Sequence, residues 1–129
     1  MESPLIKKMK KKILVIDDDP VVLRFLESIL TDNGYEVYKA NDGIQGLSML
    51  DSVKPDLITL DLQMPEQWGP RFYRAMTKHP NHRRIPVIVI SGLAGGRYSL
   101  PKAAGFLAKP FTPEDLVQMV KVQIGQEEE

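Results

Sequence analysis

At 129 residues the chain has room for one domain with a single core and not for two ordinary ones. Its 17 basic residues balance 17 acidic ones, which excludes a globally basic nucleic-acid-binding surface. The lack of cysteine excludes disulfides and thiolate metal sites and fits a cytoplasmic, reducing setting.

In chain order, Lys7, Lys8, Lys10, Lys11 and Lys12 crowd the start, and the apolar run behind them is only Ile13 to Ile16. That run is too short for a signal-peptide core or a membrane span, so residues 1–11 read as a solvated basic tail with no membrane role. Ile13-Leu14-Val15-Ile16 is the first of four short apolar runs that read as buried strands. Asp19-Pro20 opens a helix, aspartate as N-cap and proline at the first helical position, with Val22, Phe25, Leu26, Ile29 and Leu30 at helical spacing and Gly34 placed to end it. Tyr35 to Ala40 reads as a second strand. Asn41 or Asp42 caps a helix carrying Ile44, Leu47 and Leu50 that stops before Pro55. Leu57 to Leu60 is the third strand, a loop runs from Asp61 to Gly69, and a helix follows from about Pro70 to His79. Val87 to Ile90 and Phe106 to Ala108 are the fourth and fifth strands. Between them Gly92 to Pro101 holds three glycines and a proline where a fourth helix should begin. Thr112-Pro113-Glu114-Asp115 starts the last helix with a capping pattern, and residues 125–129 form an acidic tail. Residues 12–124 are thus expected to be one α/β domain with a parallel sheet covered on both faces.

If the strands are parallel, Asp17, Asp18, Asp61, Ser91 and Lys109 all fall at one edge of the sheet, where open α/β folds place ligands. Aspartate can attack phosphorus to give an acyl phosphate. A phosphoryl group brings about two negative charges, so transfer to a carboxylate needs cations over it. Asp17, Asp18 and Asp61 suit magnesium, Lys109 supplies an ammonium, and the Ser91 hydroxyl can donate to a phosphoryl oxygen. Singly, these residues read as turn and cap residues, and Asp19 is read only as a cap. Their joint placement at the ends of four runs carries the argument.

The motifs Ile13 to Pro20, Leu60-Asp61-Leu62-Gln63-Met64-Pro65 with Gly69 downstream, Ile90-Ser91-Gly92 and Lys109-Pro110-Phe111 resemble response-regulator receiver domains, the CheY-like family of two-component phosphorelays, from about Lys12 to Ile124. The resemblance implies a doubly wound, five-stranded parallel sheet of flavodoxin-like order 2-1-3-4-5. It implies that Asp61 accepts a phosphoryl group from a sensor histidine kinase or phosphotransfer protein. It further implies that Asp18, Asp61 and the Gln63 backbone carbonyl ligate magnesium, that Asp17 acts through water, and that Ser91 and Lys109 grip the phosphoryl group. Ser91 and Phe106 would form the switch, and Lys109-Pro110 would be cis.

The chain departs from the family in the stretch between Ser91 and Lys109, about one helical turn shorter than usual. The family's output and dimer face is built there, so a monomer acting on a separate output protein is expected, with no direct nucleic-acid contact. Trp68 reads as a partner contact, a lid or a tryptophan folded back on the core. Lys78, His79, His82, Arg83 and Arg84 read as a solvated cluster whose histidines lack a paired carboxylate, which makes no case for a metal.

Two other functions compete. A haloacid-dehalogenase-like phosphatase needs an acid two residues after its nucleophile, where this chain has Gln63. A phosphorylation-independent interaction module would not need the complete set of chemical residues found here. A Rossmann or P-loop site is weaker, since no glycine-rich loop follows the first strand.

Overall fold

The computed structural model describes residues 10–92, 100 and 102–125. Among the described residues five strands and four helices follow in the order β1 (Lys12–Ile16), α1 (Pro20–Asp32), β2 (Glu36–Ala40), α2 (Gly43–Val53), β3 (Leu57–Asp61), α3 (Trp68–Thr77), β4 (Val87–Ser91), β5 (Gly105–Ala108) and α4 (Pro113–Ile124), with a 3-10 turn at Pro65–Gln67 before α3. All strand pairs are parallel, in the order β2-β1-β3-β4-β5. The doubly wound architecture and strand order expected from the motifs are both present.

Successive strand residues face opposite sides of the sheet, and here both sides are covered. Leu14, Ile16, Ile58, Leu60, Val87 and Val89 pack with Leu50, Phe72 and Met76 under α2 and α3. Ile13, Val15, Leu57, Ile88 and Ile90 pack with Leu23, Leu26, Leu30, Leu116 and Val120 under α1 and α4. This two-sided burial is why β1, β3 and β4 read as unbroken apolar runs rather than as alternating ones.

Local chemistry sets the helix ends. Asp19 caps α1, its side chain accepting from the Val21 N–H at 2.9 Å, with Pro20 in the first turn. Asp42, rather than Asn41, caps α2 and accepts from the Gln45 N–H at 2.7 Å. Thr112 and Asp115 exchange bonds in a capping box at the start of α4. Gly34, with φ at +93°, takes the left-handed conformation that turns the chain from α1 into β2.

The third helix departs from expectation. It spans Trp68–Thr77, two residues earlier at each end than the motif reading placed it. Pro70 sits inside its first turn, where a missing N–H costs nothing, so proline did not mark the first residue. At the other end Pro80 disfavours helical backbone at His79, and the helix is already over at Thr77. The expected shortened or irregular fourth helix falls mainly on residues 93–99, outside the described residues.

Candidate functional site

The strand register brings five chemical residues together. Ile16 pairs with Leu60, Asp61 with Ile90, and Ser91 with Ala108, so the carboxyl ends of β1, β3, β4 and β5 finish level. Asp17 follows β1, Asp61 and Ser91 are the last residues of β3 and β4, and Lys109 follows β5. The carboxylates of Asp17, Asp18 and Asp61 lie within 4.8 Å of one another. Asp17 and Asp61 are buried, at 2% and 3% exposure, while Asp18 faces solvent.

Each group has a local anchor. The Asp19 N–H donates to Asp17 Oδ1 at 2.9 Å, and the Gln63 N–H donates to Asp61 Oδ1 at 3.1 Å. Lys109 Nζ stands 3.6 Å from Asp61 Oδ1 and 3.9 Å from Asp17 Oδ2, reaching both carboxylates from one side. The Lys109 N–H donates to the Ser91 carbonyl at 3.0 Å, and the Lys109-Pro110 bond is cis, as expected. Ser91 is fully buried. Phe106 is partly buried on the side of the sheet under α2 and α3.

Close backbone approach brings α3 up to this edge. A Cβ on Gly69 would lie 2.7 Å from the Asp61 carbonyl oxygen and 2.8 Å from Leu62 Cα, closer than atoms can pack. Trp68 lies folded back on the molecule rather than over the site. Its ring covers Gly43 at the start of α2, where a Cβ would meet Trp68 Cε3 at 2.5 Å, and the Arg71 guanidinium stacks 4.1 Å from the ring centre.

Two features had no signal in the spacing of residues. The Gln63 side-chain oxygen accepts from the Gly92 N–H at 3.0 Å, tying the loop after β3 to the loop after β4. The expectation that His79 and His82 lack a carboxylate is overturned, because Asp51 Oδ1 lies 2.8 Å from His82 Nε2. The packing of α2 beside α3 brings that aspartate in from far along the chain.

The donor set fits a hard divalent cation. Three carboxylates crowd one spot, and a single lysine stands at more than hydrogen-bond distance from two of them. Burial pushes the Asp17 carboxyl up to about 6, and the neighbouring Asp61 and Asp18 charges add to the rise against the Asp19 N–H and Lys109. In the unfolded chain this group titrates near 3.8, so between those values the folded protein holds a proton that the unfolded one has released. This contribution to metal-free stability is therefore complete below pH 3.8 and is lost as pH rises through about 6. Urea unfolding in chelator at pH 5 and pH 7.5 should show the loss, and Asp17→Asn should flatten it. Identical pH dependence in the two proteins would mean that another group carries it.

Residues 13–121 match the family model of the response regulator receiver domain. Protein Rrf1 of Nitratidesulfovibrio vulgaris is 36% identical over 112 residues, covering 87% of this chain and 81% of that protein. The DNA-binding response regulator MtrA of Mycolicibacterium smegmatis is 29% identical over 94% of this chain, which spans only 54% of that regulator. Among solved structures, the chemotaxis protein CheY4 of Vibrio cholerae superposes with a TM-score of 0.84 at 27% identity, over 90% of this chain and 100% of that one. The receiver domain of a Pseudomonas aeruginosa sensor histidine kinase, with magnesium coordinated in its active site cleft, gives 0.83 at 30% identity over 91% and 99%.

Fold and site together define a signalling domain of the open α/β class, with a carboxylate-lined cleft at the carboxyl ends of its strands. The chain belongs to the response regulator receiver domain family.

Proposed function

We propose that the chain accepts a phosphoryl group on Asp61 from the phosphohistidine of a sensor histidine kinase or phosphotransfer protein. The observation that carries this reading is Lys109, whose ammonium faces Asp61 and Asp17 at 3.6 and 3.9 Å. It is placed to meet an oxygen bonded to Asp61 while still facing a second carboxylate. In the transfer, an Asp61 oxygen bonds to phosphorus, the P–N bond to the donor imidazole breaks with its electron pair going to nitrogen, and the departing imidazole takes up a proton from solvent. Asp18, Asp61 and the Gln63 carbonyl would hold magnesium, with Asp17 acting through water, and the bound ion would neutralise phosphoryl charge. Lys109 and the Ser91 hydroxyl would grip the phosphoryl oxygens, and Ser91 moving toward them would let Phe106 turn inward. The test is incubation with magnesium and a phosphorylated kinase or acetyl phosphate, read by intact mass. One added phosphoryl group is expected.

An apolar depression lined by Val22, Phe25, Pro110 and Phe111 adjoins Lys109, so a protein donor can bury apolar surface beside the group it phosphorylates. The phosphatase alternative fares worse, since Gln63 has no acidic proton and its side-chain oxygen is held by the Gly92 N–H. A phosphorylation-independent module would have no use for Lys109 between two buried carboxylates. Among the described residues no helix is long and apolar enough to cross a membrane. A cytoplasmic location belongs to this proposal, because the kinase's phosphohistidine is made there from ATP.

Output is proposed to pass to a separate protein rather than through a dimer. Three glycines and a proline between Gly92 and Pro101 weaken any helix there, and α4 exposes Val122 as its only large apolar side chain among the described residues. Light scattering on the beryllofluoride-treated protein should therefore report a monomer. A tight dimer across α4 and the segment before β5 would refute this.

A further inference from the structure

We propose that Asp51, His79 and His82 form a zinc site at the end of the molecule opposite the phosphoacceptor cleft. His79-Pro80-Asn81-His82 is a turn between α3 and β4. It is held by N–H bonds from His82 and Arg83 to the His79 carbonyl, each 3.0 Å, and from Ile85 to the His82 carbonyl at 3.1 Å. The turn places the two imidazoles against one another, with ring centres 4.2 Å apart and planes inclined by 31°. Asp51, in the last turn of α2, completes the group from across the helix pair.

The geometry suits a tetrahedral ion. One ligand atom from each of the three residues lies within 4.8 Å of the other two. Arms of about 2.0 to 2.1 Å set tetrahedral ligands roughly 3.3 Å apart, so small side-chain rotations close the set. Those rotations fall where they are cheapest. The His82 side chain is only 7% exposed, whereas that of Asp51 is 82% exposed and has open solvent to turn into. Zinc would replace the hydrogen bond between His82 Nε2 and Asp51 Oδ1, and it would take from the Asn81 N–H its acceptor on His79, a bond of 3.2 Å. Two neutral imidazoles and one carboxylate are a borderline-soft set that favours zinc over magnesium and leaves a fourth position for water. Lys78, Arg83 and Arg84 stand nearby in sequence but are exposed, so solvent and salt screen their repulsion. Binding would clamp α2 to the α3–β4 turn and stabilise the folded chain by mass action. This site is independent of the phosphoacceptor reading.

Calorimetry with zinc chloride on the tag-free protein, in saturating magnesium, tests it. One zinc per chain is expected, retained in Asp61→Asn, which alters the other carboxylate cluster. Asp51→Asn and His79→Gln, both changing ligands without emptying the core, should weaken zinc by roughly a hundredfold, since one of three protein ligands is lost. The chain has only two histidines, so nitrogen NMR of the imidazoles reads the site directly, and both rings should shift on adding zinc. No binding, or binding that Asp61→Asn weakens and the other two variants leave unchanged, would overturn the proposal.

Discussion

Asp61→Ala should take up no phosphoryl group from either acetyl phosphate or a phosphorylated kinase, in the presence of magnesium, while the wild-type chain takes up one. The other carboxylates of the cleft cannot substitute, for different reasons. Asp17 is buried, one of its oxygens is held by the Asp19 N–H, and its raised affinity for a proton lowers its nucleophilic fraction near pH 6. Asp18 is exposed and no lysine faces it among the described ion pairs, so an acyl phosphate there would have no ammonium beside it. Asp61 is buried in the cleft, takes an anchoring N–H from Gln63 on one oxygen and stands nearer to Lys109, at 3.6 Å against 3.9 Å for Asp17. The fold should survive the substitution, because it removes one of three crowded like charges. Asp61→Asn is the companion variant, since its side-chain oxygen keeps the Gln63 N–H bonded. Equal labelling of the alanine variant, judged by intact mass, would sink the assignment.

Most of the fold and the cleft could be read from the residues themselves, for physical reasons that differ from place to place. The strands were legible because both sheet faces are covered, which leaves β1, β3 and β4 no polar position except Thr59 between their first and last residues. The starts of α1 and α4 were legible because Asp19-Pro20 and Thr112 to Asp115 carry their caps within four residues. The start of α3 was not, because the 3-10 turn leads the chain into the helix ahead of Pro70 with no side-chain cap to announce it. Contacts across the fold were harder still. Gln63 meets Gly92 across 29 positions and Asp51 meets His82 across 31, and no local pattern encodes either. The histidines looked solvated because a sequence shows their neighbours in the chain, which are basic, and hides the aspartate that α2 delivers. Gln63 likewise stands at the cleft with its amide oxygen already engaged, a contact its sequence neighbours do not announce.

Asp18→Asn should weaken magnesium by roughly a hundredfold, which corresponds to about 2.7 kcal/mol. In direct contact with a divalent ion, a unit charge is worth about 4 kcal/mol even at the dielectric of water, and the amide oxygen's dipole returns only part of it. The same change should leave metal-free stability level or slightly improved, since Asp18 faces solvent and its repulsion of Asp17 and Asp61 is screened. Asp17→Asn should give the larger gain in metal-free stability. Its charge is the one that burial disfavours, and the amide keeps an oxygen for the Asp19 N–H. The two aspartates thus separate by measurement. Asp18 should affect mainly magnesium affinity, whereas Asp17 should affect both affinity and the stability of the empty cleft. Calorimetric magnesium titration gives the affinities and urea unfolding in chelator gives the stabilities. The chain's only tryptophan, Trp68, packed at the head of α3 directly after the Asp61 loop, offers a fluorescence signal for both experiments. Unchanged magnesium affinity in Asp18→Asn would place the cation on other ligands, and a loss of metal-free stability in Asp17→Asn would show that the buried carboxylate is compensated after all.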